Sequence, residues 1–261
     1  MKDIKNPTEK VQLAAVEKFP EVIESIEKPS EKVRFLAFQK DPKYIKFIES
    51  PTEEQQLIAV KNNEYNINNI KNPTEKVQAI AVMKNPFMIQ NIENPTEKVQ
   101  FYALKESCYH IEHIKNPTEK VQLWVLDKCG VRRIKDIKNP TKKVKLFAFE
   151  KNPENIKYIE KPTEEQQLIT VKKDASDIKY IKNPTEKVQL VAVEESPWNI
   201  SYIKNSTEKV QLAAVEKKPR VIGSIEDPTE KVQLTAVRKN KEVYKYIKNP
   251  TEKVDNLMLS M

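Results

Sequence analysis

Every cysteine and histidine of this 261-residue chain falls within one 22-residue stretch: Cys108, His110, His113 and Cys129. Two imidazoles three positions apart beside two thiols are the residue types that hold zinc in a tetrahedral site. Their spacing follows no established zinc pattern, so they read as ordinary side chains of a variable region and no metal is expected. Other chemistry is sparse. Only two glycines occur, Gly130 and Gly223, too few for a phosphate-cradling loop or a dinucleotide fingerprint. No nucleophile elbow accompanies the histidines, and the many glutamates suit helix ends and solvated faces better than acid–base pairs. The expectation is a protein with no enzymatic activity and no cofactor.

A second concentration of chemistry is electrostatic. Between Lys128 and Lys145 eight cations, Lys128, Arg132, Arg133, Lys135, Lys138, Lys142, Lys143 and Lys145, face Asp136 alone, a net +7 within a chain whose total is +8. Aromatic and imidazole side chains stand beside this run: Tyr102, Tyr109, His110, His113 and Trp124. Together these residues form a candidate partner-binding patch. Cations with interleaved rings suit an acidic protein surface or nucleic-acid phosphate, and no base-reading motif accompanies them.

The elements that must position these residues are dictated by a repeat. Proline returns every 22 residues at Pro7, Pro29, Pro51, Pro73, Pro95 and Pro117, then, after one step of 23, at Pro140, Pro162 and Pro184, Ser206 replacing it once before Pro228 and Pro250. Such a period is the signature of a solenoid, whose units bury apolar surface only against their neighbours. Each unit reads as two helices. Asn-Pro-x-Glu, as in Asn6, Pro7 and Glu9 or Asn72, Pro73 and Glu75, predicts a first helix capped by asparagine with proline at its first position, spanning roughly 18 Å from Pro7 to Lys18. Ser50 and Asp227 read as equivalent caps. A second proline (Pro20, Pro42, Pro86, Pro153, Pro197, Pro219) opens the second helix, with Asp41, Asn85, Asn152 and Ser196 as caps.

Small residues along the first helix (Ala15, Ala37, Ala59, Ala81) permit close approach, and Ile23 with Ile26, repeated as Ile45 with Ile48, makes a narrow apolar stripe. The fold expected is an all-α solenoid of about eleven stacked helix pairs over residues 1–261. At about 8–10 Å between packed helices it would make a curved rod on the order of 100 Å long. Two ladders accompany the repeat. Tyr158, Tyr180, Tyr202 and Tyr246, with Phe47, share one position, read as partly exposed or as core cover, and Gln12, Gln78, Gln100, Gln122, Gln189, Gln211 and Gln233 share another, read as satisfying backbone groups. A longer period is also visible: Pro51–Ile58 is identical to Pro162–Ile169, 111 residues on, which suggests duplication of a five-unit block and two similar surfaces.

No stretch approaches the ~20 apolar residues of a membrane span and two cysteines are too few for a disulfide framework, so a chain with no leader before the first repeat, in a reducing, cytoplasmic setting, is expected. The apolar end of the chain, Val254, Leu257, Met258 and Leu259, is expected either to self-associate or to fold back on the preceding unit.

Runs such as residues 182–194, and 204–215 with Ser206, resemble the short HEAT-like helical repeats of bacterial and phage proteins, and the resemblance covers essentially the whole chain. It implies a non-enzymatic binding scaffold, a protein–protein adaptor or inhibitor, of the kind a phage or mobile element directs at a host nucleic-acid-handling or defence protein. Direct nucleic-acid binding through the basic stretch is the alternative.

Overall fold

A computed structural model describes residues 7–261, and among them 23 helical segments follow one another with no strand. None is long and apolar enough to cross a membrane. The chain forms two compact units, one ending at Thr141 and one beginning at Lys142. The first holds α1 (Glu9–Lys18), α2 (Glu31–Lys40), α3 (Glu53–Asn62), α4 (Glu75–Lys84), α5 (Glu97–Leu104) and α6 (Glu119–Cys129). Each is followed by a short helix: η1 (Pro20–Ser25), η2 (Pro42–Phe47), η3 (Glu64–Asn69), η4 (Pro86–Asn91), η5 (Cys108–His113) and η6 (Val131–Asp136). In the second, α7 (Lys142–Lys151), α8 (Glu164–Lys173), α9 (Glu186–Glu195), α10 (Glu208–Lys217) and α11 (Glu230–Lys239) alternate with η7 (Pro153–Tyr158), η8 (Ala175–Tyr180), η9 (Pro197–Tyr202), η10 (Pro219–Ser224) and η11 (Lys241–Tyr246), before α12 (Glu252–Ser260). The all-α solenoid read from the repeat is the fold observed: within each unit successive pairs stack, α on α at most steps, whereas α3 packs on η2 rather than on α2 and α8 on η7 rather than on α7.

The second helix of each pair is a 3₁₀ helix, not the α-helix expected. Six residues are too few to nucleate an α-helix readily, and at three residues per turn positions i and i+3 eclipse. The isoleucine pair is spaced for that geometry: Ile23 is wholly buried on η1 and Ile26, just past its end, is 8% exposed. Prolines open six of these helices as expected, and the oxygens of Asp41, Asn85 and Asn152 accept the N–H two residues on at 3.0–3.3 Å. Ser196 makes no such bond.

The start of the first helix also differs. Its cap is the residue after the proline: Ser30, Thr74, Thr96 and Thr118 accept the N–H of Val33, Val77, Val99 and Val121, and the glutamate expected at the third position is the first helical residue. Asn6 lies outside the described residues. Asn72 and its equivalents, with Ser50 and Asp227, precede the helix without capping it. The proline carbonyl has a partner of its own. It accepts the side-chain amide of the glutamine five residues on, as from Gln78 (2.9 Å), Gln100 (3.0 Å) and Gln122 (2.8 Å).

In most of these seams that glutamine's oxygen accepts the cap N–H of the next repeat, as Thr118 to Gln100 at 3.0 Å, Thr185 to Gln167 at 3.2 Å and Thr251 to Gln233 at 3.1 Å, whereas the oxygens of Gln12, Gln78 and Gln189 have no partner. The glutamine ladder is therefore structural, as read from the sequence. Most first-turn glutamates form a parallel ladder, pairing with the lysine 23 residues later, as Glu97 with Lys120 at 2.7 Å. These pairs are exposed and each is worth at most a few tenths of a kcal/mol. The core lies between the layers, where Val33, Val77, Val99, Ala37, Ala59, Ala81, Ile45, Ile89 and Ile111 are wholly buried. Each buried valine or isoleucine contributes roughly 1.5–3 kcal/mol.

Repeat six carries the extra residue at the end of its first helix, making α6 eleven residues long. Gly130 then turns the chain with φ +94°, a backbone that side chains rarely adopt. Here the cysteines depart from expectation: Cys108, opening η5, and Cys129, closing α6, are disulfide-bonded, with Cα atoms 6.3 Å apart. A count of two therefore did not argue against a crosslink, because the 22-residue period, lengthened by one residue, brings these two positions side by side. At the chain's end Val254 is buried and Leu257 and Met258 pack on the core of the second unit, while Leu259 stays 88% exposed.

Candidate interaction face

The second residue of most of these 3₁₀ helices is exposed. In three successive repeats of the first unit it is a large ring, Tyr65, Phe87 and Tyr109, and these are 54%, 49% and 60% exposed. Regular stacking of the η helices turns a 22-residue spacing into a ridge. Around it the side chains interlock. Phe87 meets His110 edge-on at 4.8 Å and lies 5.1 Å from His113, and Asn85 donates to the Tyr65 hydroxyl at 3.4 Å. The Arg133 guanidinium lies 3.6 Å over the Tyr109 ring and pairs with Asp136 at 2.8 Å. Tyr109 first, then Asp136, hold that guanidinium even more firmly in its charged form.

His110 is tuned in the opposite sense. Burial, then neighbouring His113, push its imidazole below the usual value, and its Nδ1 has no hydrogen-bond partner. A neutral ring packed on Phe87 follows. With both sulfurs bonded to each other, Cys108, His110, His113 and Cys129 make no four-ligand metal set in this structure.

The twelve residues expected to form one patch belong to several elements. Tyr109, His110, His113, Arg132, Arg133 and Lys135 belong to η5 and η6, with Lys138 in the turn that follows; Arg132, Lys135 and Lys138 are exposed. Tyr102 and Trp124 sit half-buried on α5 and α6, where Trp124 meets Phe101 edge-on at 5.6 Å. Lys142, Lys143 and Lys145 belong to α7 of the second unit, and Lys145 pairs with Glu160 at 3.3 Å. The run of charge thus passes from η6 through a turn into α7.

Sequence reasoning missed Tyr65 and Phe87. Their spacing from Tyr109 was visible, yet which side of a six-residue helix faces outward depends on whether it advances about 100° or about 120° per residue. The tyrosine ladder that was noticed is intermediate in exposure at Tyr158, Tyr180 and Tyr246, while Tyr202 is 51% exposed. Tyr180 and Tyr246 pack against the core, and lysine stems cover the rings, Lys157 lying 4.7 Å from Tyr180.

Compared with known proteins, the chain matches no family model, no curated protein and no solved structure.

Proposed function

We propose that this protein is a non-enzymatic scaffold, an adaptor or inhibitor that docks a protein with an acidic surface on the ridge of its first unit. The observation that carries this reading is the run of three half-exposed rings, Tyr65, Phe87 and Tyr109, at one position of consecutive repeats. Rigid aromatics offer large contact area at small entropic cost, and such residues anchor protein interfaces. Arg132, Lys135 and Lys138 extend the ridge with exposed positive charge, which selects for acidic neighbours and speeds encounter. Glycine is nearly absent and the backbone is tied repeat to repeat by the glutamine seam, so the surface is preorganised.

The test is an affinity pull-down from the native host, with and without nuclease, using the wild-type chain and a Tyr65→Ala/Phe87→Ala/Tyr109→Ala variant. A nuclease-resistant partner should be retained by wild type and lost by the variant, truncation of each anchoring ring costing about 2 kcal/mol. Retention by both rejects the ridge. Binding abolished by nuclease, with affinity falling log-linearly with salt, favours the nucleic-acid alternative.

A further inference from the structure

The 111-residue duplication returns in the structure as two clefts with matching walls. One, of about 400 Å³, opens in the first unit between α2 and α3; the other, of about 480 Å³, opens in the second unit between α7 and α8. Their shared frame has a simple origin. At the fifth position of the repeat most units bury a valine, such as Val33, Val77 or Val144, whereas repeats three and eight carry Gln55 and Gln166. Each of these folds back so that its oxygen accepts the N–H of its own cap, Thr52 or Thr163, at 2.9 and 3.0 Å. The apolar plug is missing, and the seam gapes. Across it Arg34 reaches Glu49 at 2.5 Å and Lys145 reaches Glu160 at 3.3 Å.

The clefts differ where duplication has been overwritten. Glu31, Phe35 and Ser50 line the first; their counterparts in the second are Lys142, Leu146 and Lys161. Since Lys145 is paired with Glu160, the second cleft presents two further ammonium groups beside an aliphatic floor of Leu146 and Ile159. Lys142 also stands 23 residues before Glu165, the register at which other repeats pair glutamate with lysine, but no ion pair joins them among the described residues. The change at Lys142 costs α7 the acidic first turn that every other described α-helix has. Folding does not call for it.

We propose that the second cleft binds an acidic peptide segment, seating one apolar side chain on Leu146 and Ile159 with flanking carboxylates against Lys142 and Lys161. A cleft of this volume accommodates a single large side chain and its neighbours. No aromatic ring lines it for a base to stack on, and the aliphatic floor gives free phosphate nothing to contact. This site is separate from the ridge, and either can fail without the other.

The test uses the whole protein and a fluorescein-labelled hexapeptide of five acidic residues around one leucine, titrated by fluorescence anisotropy at about 50 mM salt. Wild type should bind one peptide. Lys142→Glu/Lys161→Ser, which rebuilds the first cleft's charges in the second, should weaken binding by about tenfold or more, or about 1.4 kcal/mol. Glu31→Lys/Ser50→Lys should raise the stoichiometry to two, with folding of both variants confirmed by circular dichroism. Replacing the peptide's leucine by alanine should weaken binding several-fold, while the ridge variant should bind the peptide as wild type does. The proposal is overturned by absence of saturable binding below about 1 mM, a weak contact by any measure, by indifference to Lys142→Glu/Lys161→Ser, by equal binding of the alanine peptide, or by a stoichiometry that stays at one in Glu31→Lys/Ser50→Lys.

Discussion

Seam glutamines and cap glutamines should compensate for each other, and the compensation can be measured at a single amide. In most seams the N–H of the capping threonine is accepted by the glutamine of the preceding repeat, but repeats two and seven hold Arg34 and Lys145 at that position, neither of which can accept. The following repeats supply Gln55 and Gln166 instead, closing a capping box. Consider Arg34→Gln, Gln55→Ala and the double variant. Arg34→Gln keeps a donor to the Pro29 carbonyl, which now accepts from Nε at 2.9 Å, and loses a pair with Glu49, whose side chain is 82% exposed; the change should lie within about 0.5 kcal/mol of neutral.

Gln55→Ala strips the Thr52 N–H of its acceptor at 2.9 Å, which costs about 1 kcal/mol. In the double variant the glutamine introduced by Arg34→Gln can take over, as Gln100 does for Thr118, and the loss should nearly vanish. The coupling is therefore about 1 kcal/mol, or about fivefold in exchange rate. Hydrogen exchange of the Thr52 amide, followed by NMR, reads local opening without assuming that a repeat array unfolds in one step. Coupling within about 0.3 kcal/mol of zero would refute the compensation. The same cycle at Lys145, Gln166 and Thr163 is an independent replicate.

Two further predictions concern single features. At the position where Asn66, Asn155 and Asn199 donate to a buried helix carbonyl at 2.9–3.0 Å, repeat eight has Asp177, whose carboxyl is raised above its usual pKa by burial and then by Asp174 and Glu154. A raised folded-state value means stability is lost as pH climbs through it, so Asp177→Asn should stabilise by about 1 kcal/mol at pH ~7, with the gain shrinking below pH ~4, as urea unfolding at the two pH values would show. An equal gain at both would contradict the assignment. Reducing the Cys108–Cys129 bond, or Cys108→Ser/Cys129→Ser, should lower protection of the η5 and α6 amides by up to ~3 kcal/mol, the loop-closure value for a ring of this size; unchanged exchange after thiol titration confirms reduction would show the crosslink to be energetically idle.

Much of this architecture was legible in the chain alone because a 22-residue period repeats the same local instructions. Proline marks where helices begin, small and β-branched residues set what is buried, and the glutamines' role followed from recurrence beside a helix start. The period also held the isoleucine spacing that marks a 3₁₀ turn, although three-residue spacing is shared with α-helices and was read as one. What the sequence could not decide was anything requiring two repeats to be placed against each other. The pairing of Cys108 with Cys129 depends on one inserted residue and the left-handed turn at Gly130. Tyr65, Phe87 and Tyr109 form a ridge only because 3₁₀ helices of equal length stack in register. A contiguous run of lysines, by contrast, is no surface at all until its elements are placed, and here they belong to different ones.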